Sequence, residues 1–134
     1  MELEADVDPV ANCYAALERK CRTNYGASVG TIPVREHVFN PDYKTVFAGD
    51  FLYDMMAAPG KSHTSMKWST QVGAPDDVQR SGQCHEEGLQ QGSVGVGQCA
   101  GYVVTGTTTD EAIICQELAG KYSQCVFIHC RFSS

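Results

Sequence analysis

Most features that would name an activity outright are missing from this chain. It has no stretch of about 18 apolar residues, so no membrane-spanning helix and no membrane partner are expected. It has no clustered basic stripe. The net charge is −6, and taking away the four acids Glu2, Glu4, Asp6 and Asp8 leaves −2 for the rest. A phosphate-tracking surface needs clustered cations, so nucleic acid is not an expected partner. Arg19, Lys20 and Arg22 form the one basic cluster and read as the wet side of a helix. The glycine run Gly92-Ser-Val-Gly-Val-Gly97 lacks the Lys-Ser/Thr ending of a phosphate loop and reads as flexible linkage. There is no internal repeat and no N-glycosylation sequon.

Cysteine, by contrast, is abundant. Cys13, Cys21, Cys84, Cys99, Cys115, Cys125 and Cys130 are spread along the length rather than gathered into the paired knuckles of a structural zinc site. Dispersed cysteines in a small chain point to disulfides made in an oxidising compartment. No metal and no cofactor are expected. An odd total of seven leaves six in bridges and one thiol over, with the pairing open. The start, Met-Glu-Leu-Glu-Ala-Asp, lacks the charged and apolar regions of a signal peptide. The simplest reading is a mature protein, signal peptide removed, with an added Met1; the alternative is a cytosolic protein with free thiols.

With 134 residues the chain suits a single domain. Residues 1–7 are acidic and small, and read as a flexible arm preceding one domain over 8–134. Asp8-Pro9 is an N-cap followed by proline, and Val10, Cys13, Tyr14, Leu17 and Cys21 draw one apolar stripe along a helix. Residues 31–39, 44–53 and 62–72 are rich in β-branched and aromatic residues and predict an antiparallel meander. Residues 73–98, rich in Gly, Gln, Ser and Asp, predict a long irregular loop. A short strand over 101–105 follows. Thr108 and Glu111 fit a capping box opening a second helix, with Ile114, Cys115, Leu118 and Tyr122 on its buried side. Residues 125–132 alternate as a final strand. The expected fold is α+β: a two-layer sandwich of two helices on a mainly antiparallel sheet of about five strands, stapled by disulfides.

Candidate chemistry is sparse. Glu36, His37, His129 and Arg131 could supply the base, acid and cation of a ribonuclease-like hydrolase. As neighbours on a strand, however, Glu36 and His37 would face opposite ways. Cys84-His85-Glu86-Glu87 groups a thiol, an imidazole and two carboxylates, and reads as a bridged turn with a charged rim. Arg35, Phe47, Phe51 and Tyr53 would form an exposed aromatic surface if the second face of the sheet is open.

The short chain, the scattered cysteines and the acidic N-terminal arm resemble, in style and without a specific motif, the small secreted cysteine-rich proteins of plant-pathogenic fungi. Avirulence effectors and killer-toxin-like proteins belong to that type. The resemblance implies an extracellular protein, able to enter a host, that acts by binding a host or partner protein rather than by catalysis.

Overall fold

In a computed structural model, residues 2–5, 9–39, 67–98, 103 and 105–128 are described. Strands and helices alternate along them. The order is β1 (Glu2–Ala5), α1 (Pro9–Leu17), β2 (Gly26–Gly30), α2 (Thr31–Phe39), α3 (Lys67–Thr70), α4 (Pro75–Gln90), β3 (Gly95–Gln98), α5 (Thr109–Lys121) and β4 (Cys125–Ile128). The sheet is wholly parallel. β2, β3 and β4 lie side by side, and β1, inside the segment read as an arm, adds to the free side of β2. The expected antiparallel five-stranded sandwich with two helices is therefore corrected. Parallel neighbours need a crossover between them, and helices supply it here.

Three sequence segments account for the difference. Residues 31–39, read as a strand, form α2. Their β-branched residues favour extended backbone, but α2 is buried round most of its circumference, and Pro33 falls in the first turn, where helical N–H groups lack intrahelical partners anyway. Residues 75–90, read as loop, form the longest described helix. Pro75 opens it, and Asp77 Oδ2 accepts the Ala74 N–H at 3.1 Å. The glycine run read as linkage supplies β3, whose residues Gly95, Val96 and Gly97 are buried. The expected strand over 44–53 and most of that over 101–105 fall outside the described residues; of that over 62–72, residues 62–66 fall outside them, and Lys67–Thr70 form the helix α3 instead of a strand.

Disulfide stapling is also corrected. Cys13, Cys21, Cys84, Cys115 and Cys125 are thiols, and no disulfide occurs among the described residues. Cys99 and Cys130 lie outside them. A hydrophobic cluster holds the layers together instead. Ala27 and Val29 of β2 and Val96 of β3 pack under Val10 and Cys13 of α1, Val34 and Val38 of α2, Leu89 of α4 and Cys115 of α5.

Polar side chains lock the joints. Tyr14 Oη donates to the Gly92 carbonyl at 3.0 Å and accepts the Ala27 N–H at 3.1 Å, tying α1 to β2 and to the turn after α4. Ser93 Oγ accepts the Val29 N–H at 3.0 Å, supplying a ladder partner just ahead of β3. Thr31 Oγ1 donates to the Gly97 carbonyl at 2.7 Å, fastening the start of α2 to the carboxyl end of β3. α5 begins with the capping box its sequence predicts. Glu111 N–H donates to Thr108 Oγ1 at 3.2 Å, and Thr108 N–H donates to Glu111 Oε2 at 2.9 Å.

Candidate functional site

The ribonuclease-like set is not assembled among the described residues. Glu36 and His37 sit on helix α2, not on a strand; Glu36 is buried and His37 is exposed. His129 and Arg131 lie outside the described residues. Arg35, expected on an open aromatic surface, is wholly buried, and Phe47, Phe51 and Tyr53 lie outside the described residues. Arg19, Lys20 and Arg22 are exposed as expected, but they follow the end of α1, where Arg19 adopts a positive φ of 60°.

Cys84-His85-Glu86-Glu87 is not a bridged turn. It lies within α4, which turns the four side chains apart: Cys84 and His85 toward the core, Glu86 to the α5 side and Glu87 to solvent. His85 Nδ1 lies 2.8 Å from the Ser81 carbonyl oxygen, which can only accept, so Nδ1 carries the proton. Nε2 then presents its lone pair to the Cys115 thiol, 3.8 Å away. Burial lowers the His85 pKa to about 4 and pushes the Cys115 thiol up to about 11. Both groups are therefore neutral near pH 7. A nucleophilic cysteine needs the opposite arrangement, a thiolate beside an imidazolium, with access to solvent. This pair is a core hydrogen bond between α4 and α5.

The segment Gly26-Ala-Ser-Val-Gly30 also matches the Gly-x-Ser-x-Gly pattern, a feature that sequence reading passed over. That pattern carries chemistry only when the serine stands at the sharp turn from strand to helix. Here the turn falls at Gly30-Thr31, and Ser28 is buried in mid-strand.

At the carboxyl edge of the sheet, Arg35 and Glu111 form a buried ion pair between α2 and α5. Arg35 also donates to the Gln71 carbonyl, and its guanidinium carbon lies 4.7 Å from the centre of the Phe39 ring. Burial draws the guanidinium below its ordinary pKa, and the Glu111 carboxylate pushes back. Glu111 thus caps α5 with one oxygen and holds Arg35 with the other. With its guanidinium turned to protein groups rather than to solvent, the pair acts as a clamp.

An open concave feature among the described residues lies elsewhere, between α4 and α5. It is a groove of about 580 Å³. Pro75, Val78, Gly82 and Glu86 come from α4; Ile114 and Leu118 come from α5. These α4 positions fall at i, i+3, i+7 and i+11, one stripe over three turns. The floor is apolar. At its centre Gly82 meets Ile114 so closely that a Cβ at position 82 would stand 3.0 Å from Ile114 Cγ2. One end is braced by polar contacts. Glu86 accepts from Lys121, and from Tyr122 Oη at 2.9 Å; Gln90 Nε2 donates to the same Oη at 3.0 Å. Hydrogen bonds from Lys121 and Tyr122 lower the Glu86 pKa, and the bond to Glu86 raises that of Lys121. The groove is preformed: the two helices that wall it are fixed both to each other and to the sheet.

The described residues thus define a parallel α/β domain with a braced interhelical groove. Compared with models of protein families, with curated proteins and with solved structures, the chain matches none. No helix among the described residues is long and apolar enough to cross a membrane.

Proposed function

We propose that this protein is a binding module that takes a segment of a partner polypeptide into the groove between α4 and α5. The supporting observation is the groove itself, apolar on its floor, charged on its rim and braced before any partner arrives. A preformed site avoids the ordering cost that otherwise offsets contact energy. Its size is within the usual range for ligand pockets, but its open, elongated form suits a chain segment better than an enclosed small molecule.

The expectation of a secreted effector rested on cystines. With the five described cysteines present as thiols, the proposal takes from that expectation the partner polypeptide and leaves the compartment aside. The hydrolase reading gains nothing from α2, which turns Glu36 and His37 apart.

A peptide library displayed on phage tests the proposal. It is panned in parallel on the wild-type protein and on Gln79→Trp, which fills the groove from an exposed lining position without removing a buried contact. Thermal melts confirm that the variant is folded. Sequences enriched on the wild type and lost on the variant sustain the reading. No enrichment, or equal enrichment on both proteins, overturns it.

A further inference from the structure

The groove's charge and geometry point to a definite occupant: we infer that it is a cationic amphipathic α-helix of a partner protein. The inference rests on the binding reading above and adds the chemistry of the ligand.

Backbone satisfaction selects a helix. Both walls are helices whose N–H and C=O groups, away from their first turns, bond within the helix, and the floor between them is formed by Val78, Ile114 and Leu118. An extended segment laid there would find no sheet edge to pair with and would bury unsatisfied amides. A helix satisfies its amides internally and offers ridges that fit between those of α4 and α5. From Pro75 to Glu86 the lining spans about 16 Å, or three helical turns.

Charge selects a cationic one. The ionisable lining residues are Glu86, Asp110, Glu117 and Lys121. Glu86 and Lys121 neutralise each other across the end of the groove. Asp110 and Glu117, both exposed on the α5 wall, have no ion pair among the described residues, so the rim keeps two uncompensated carboxylates. They stand seven residues apart on one helix, two turns or about 10 Å. Lysines at i and i+7 on the flank of a docked helix would meet both.

A second copy of the chain is a poor source. Its basic cluster, Arg19, Lys20 and Arg22, lies beyond the end of α1, and no described helix carries two basic residues seven apart.

Three fluorescent peptides of about 16 residues test the inference. One is a helix with a leucine stripe and lysines at i and i+7. The second replaces those lysines with glutamate, and the third carries a central proline that breaks the helix. Anisotropy is read on the wild type, on Gln79→Trp and on Asp110→Asn/Glu117→Gln, at about 50 mM and about 500 mM NaCl. The lysine helix is expected to bind the wild type and lose binding on Gln79→Trp. Removing both rim charges should weaken it roughly three- to tenfold and flatten its salt dependence. The glutamate and proline peptides should bind at least about tenfold more weakly.

Equal binding of lysine and glutamate helices, equal binding of the proline peptide, or no binding of the lysine helix overturns the inference. If the phage library still yields groove-dependent ligands of another kind, the occupant is wrong and the binding reading stands. If it yields none, both fall. Self-association on a sizing column that Gln79→Trp abolishes would instead assign the groove to a second copy.

Discussion

Gly88 of α4 rests on Val29 of β2 so closely that a Cβ at position 88 would stand 2.8 Å from both Val29 Cβ and Cγ2. Val29 is a buried residue of a central strand, and its Cβ cannot swing away, so the helix itself would have to lift. Gly88→Ala gains up to about 1 kcal/mol in helix propensity. Overpacking costs about 1–3 kcal/mol, and with a branched residue on a strand beneath it the cost wins. At Gly120 in α5 an added Cβ would meet nothing within 4 Å, and the position is exposed, so Gly120→Ala should stabilise by roughly 0.5–1 kcal/mol. Urea unfolding of the two variants should therefore give shifts of opposite sign. A stabilising Gly88→Ala would show that α4 does not rest on β2 at this point.

The same contact explains why much of the fold was hidden in the sequence. Where hydrophobic period and cap agree, the sequence was legible. Val10, Cys13, Tyr14 and Leu17 mark α1, and Thr108 with Glu111 marks the start of α5. Cys21 continued the α1 stripe on paper, but the helix ends at Leu17 and the chain reverses at Arg19. α4 looked like loop because its stretch is rich in Gly, Gln, Ser and Asp; two of those glycines, Gly82 and Gly88, are the points where the helix approaches Ile114 and Val29. β3 looked like linkage because its residues are small, and β2 drew no strand reading; both are buried at consecutive residues, which removes the alternation that marks a half-exposed strand. The groove was invisible for a related reason. Its walls are the exposed sides of two helices, one of which was not recognised as a helix.

His85 should make the protein sensitive to mild acid. Its folded pKa, about 4, lies below the ordinary histidine value of 6.5. As pH falls below 6.5 the unfolded chain takes up a proton at this site that the folded protein refuses, so stability drops until the folded pKa is reached. The loss attributable to this one group is on the order of 3 kcal/mol. Above pH 6.5 it has no effect. Urea unfolding between pH 7 and pH 4 should show His85→Gln losing stability less steeply than the wild type, by about one proton's worth of slope. Parallel curves for the two proteins would mean that His85 is not held neutral.

Thiol accessibility should separate the cysteines. Cys115 is buried, with its pKa pushed up to about 11, and burial also raises that of Cys13. Cys125 is exposed. A short pulse of iodoacetamide on the native protein should alkylate Cys125 and spare Cys13 and Cys115. Both protected thiols should react once the chain is unfolded in denaturant, since alkylation needs an accessible thiolate. Peptide mass mapping gives the answer directly. Rapid native labelling of Cys115 would contradict its place beneath α4 and reopen a catalytic reading of the Cys115–His85 contact.

The Arg35–Glu111 clamp should show strong coupling. Arg35→Met removes the cation but leaves the Glu111 carboxylate buried, a change that costs about 3–5 kcal/mol in comparable pairs. Glu111→Gln leaves a buried guanidinium held by the Gln71 carbonyl and the Phe39 ring, while its amide oxygen can still accept the Thr108 N–H. The double variant buries neither charge, and methionine fills much of the arginine's volume. Its loss should therefore be well below the sum of the two single losses, by about 2 kcal/mol or more. Because the clamp joins α2 to the start of α5 beneath one end of the groove, the single variants should also loosen that end. Amide exchange should then rise at Thr108–Ala112 in Arg35→Met, and return toward wild type in the double variant. Additive losses, with exchange unchanged at the start of α5, would mean that the pair does not hold the two helices together.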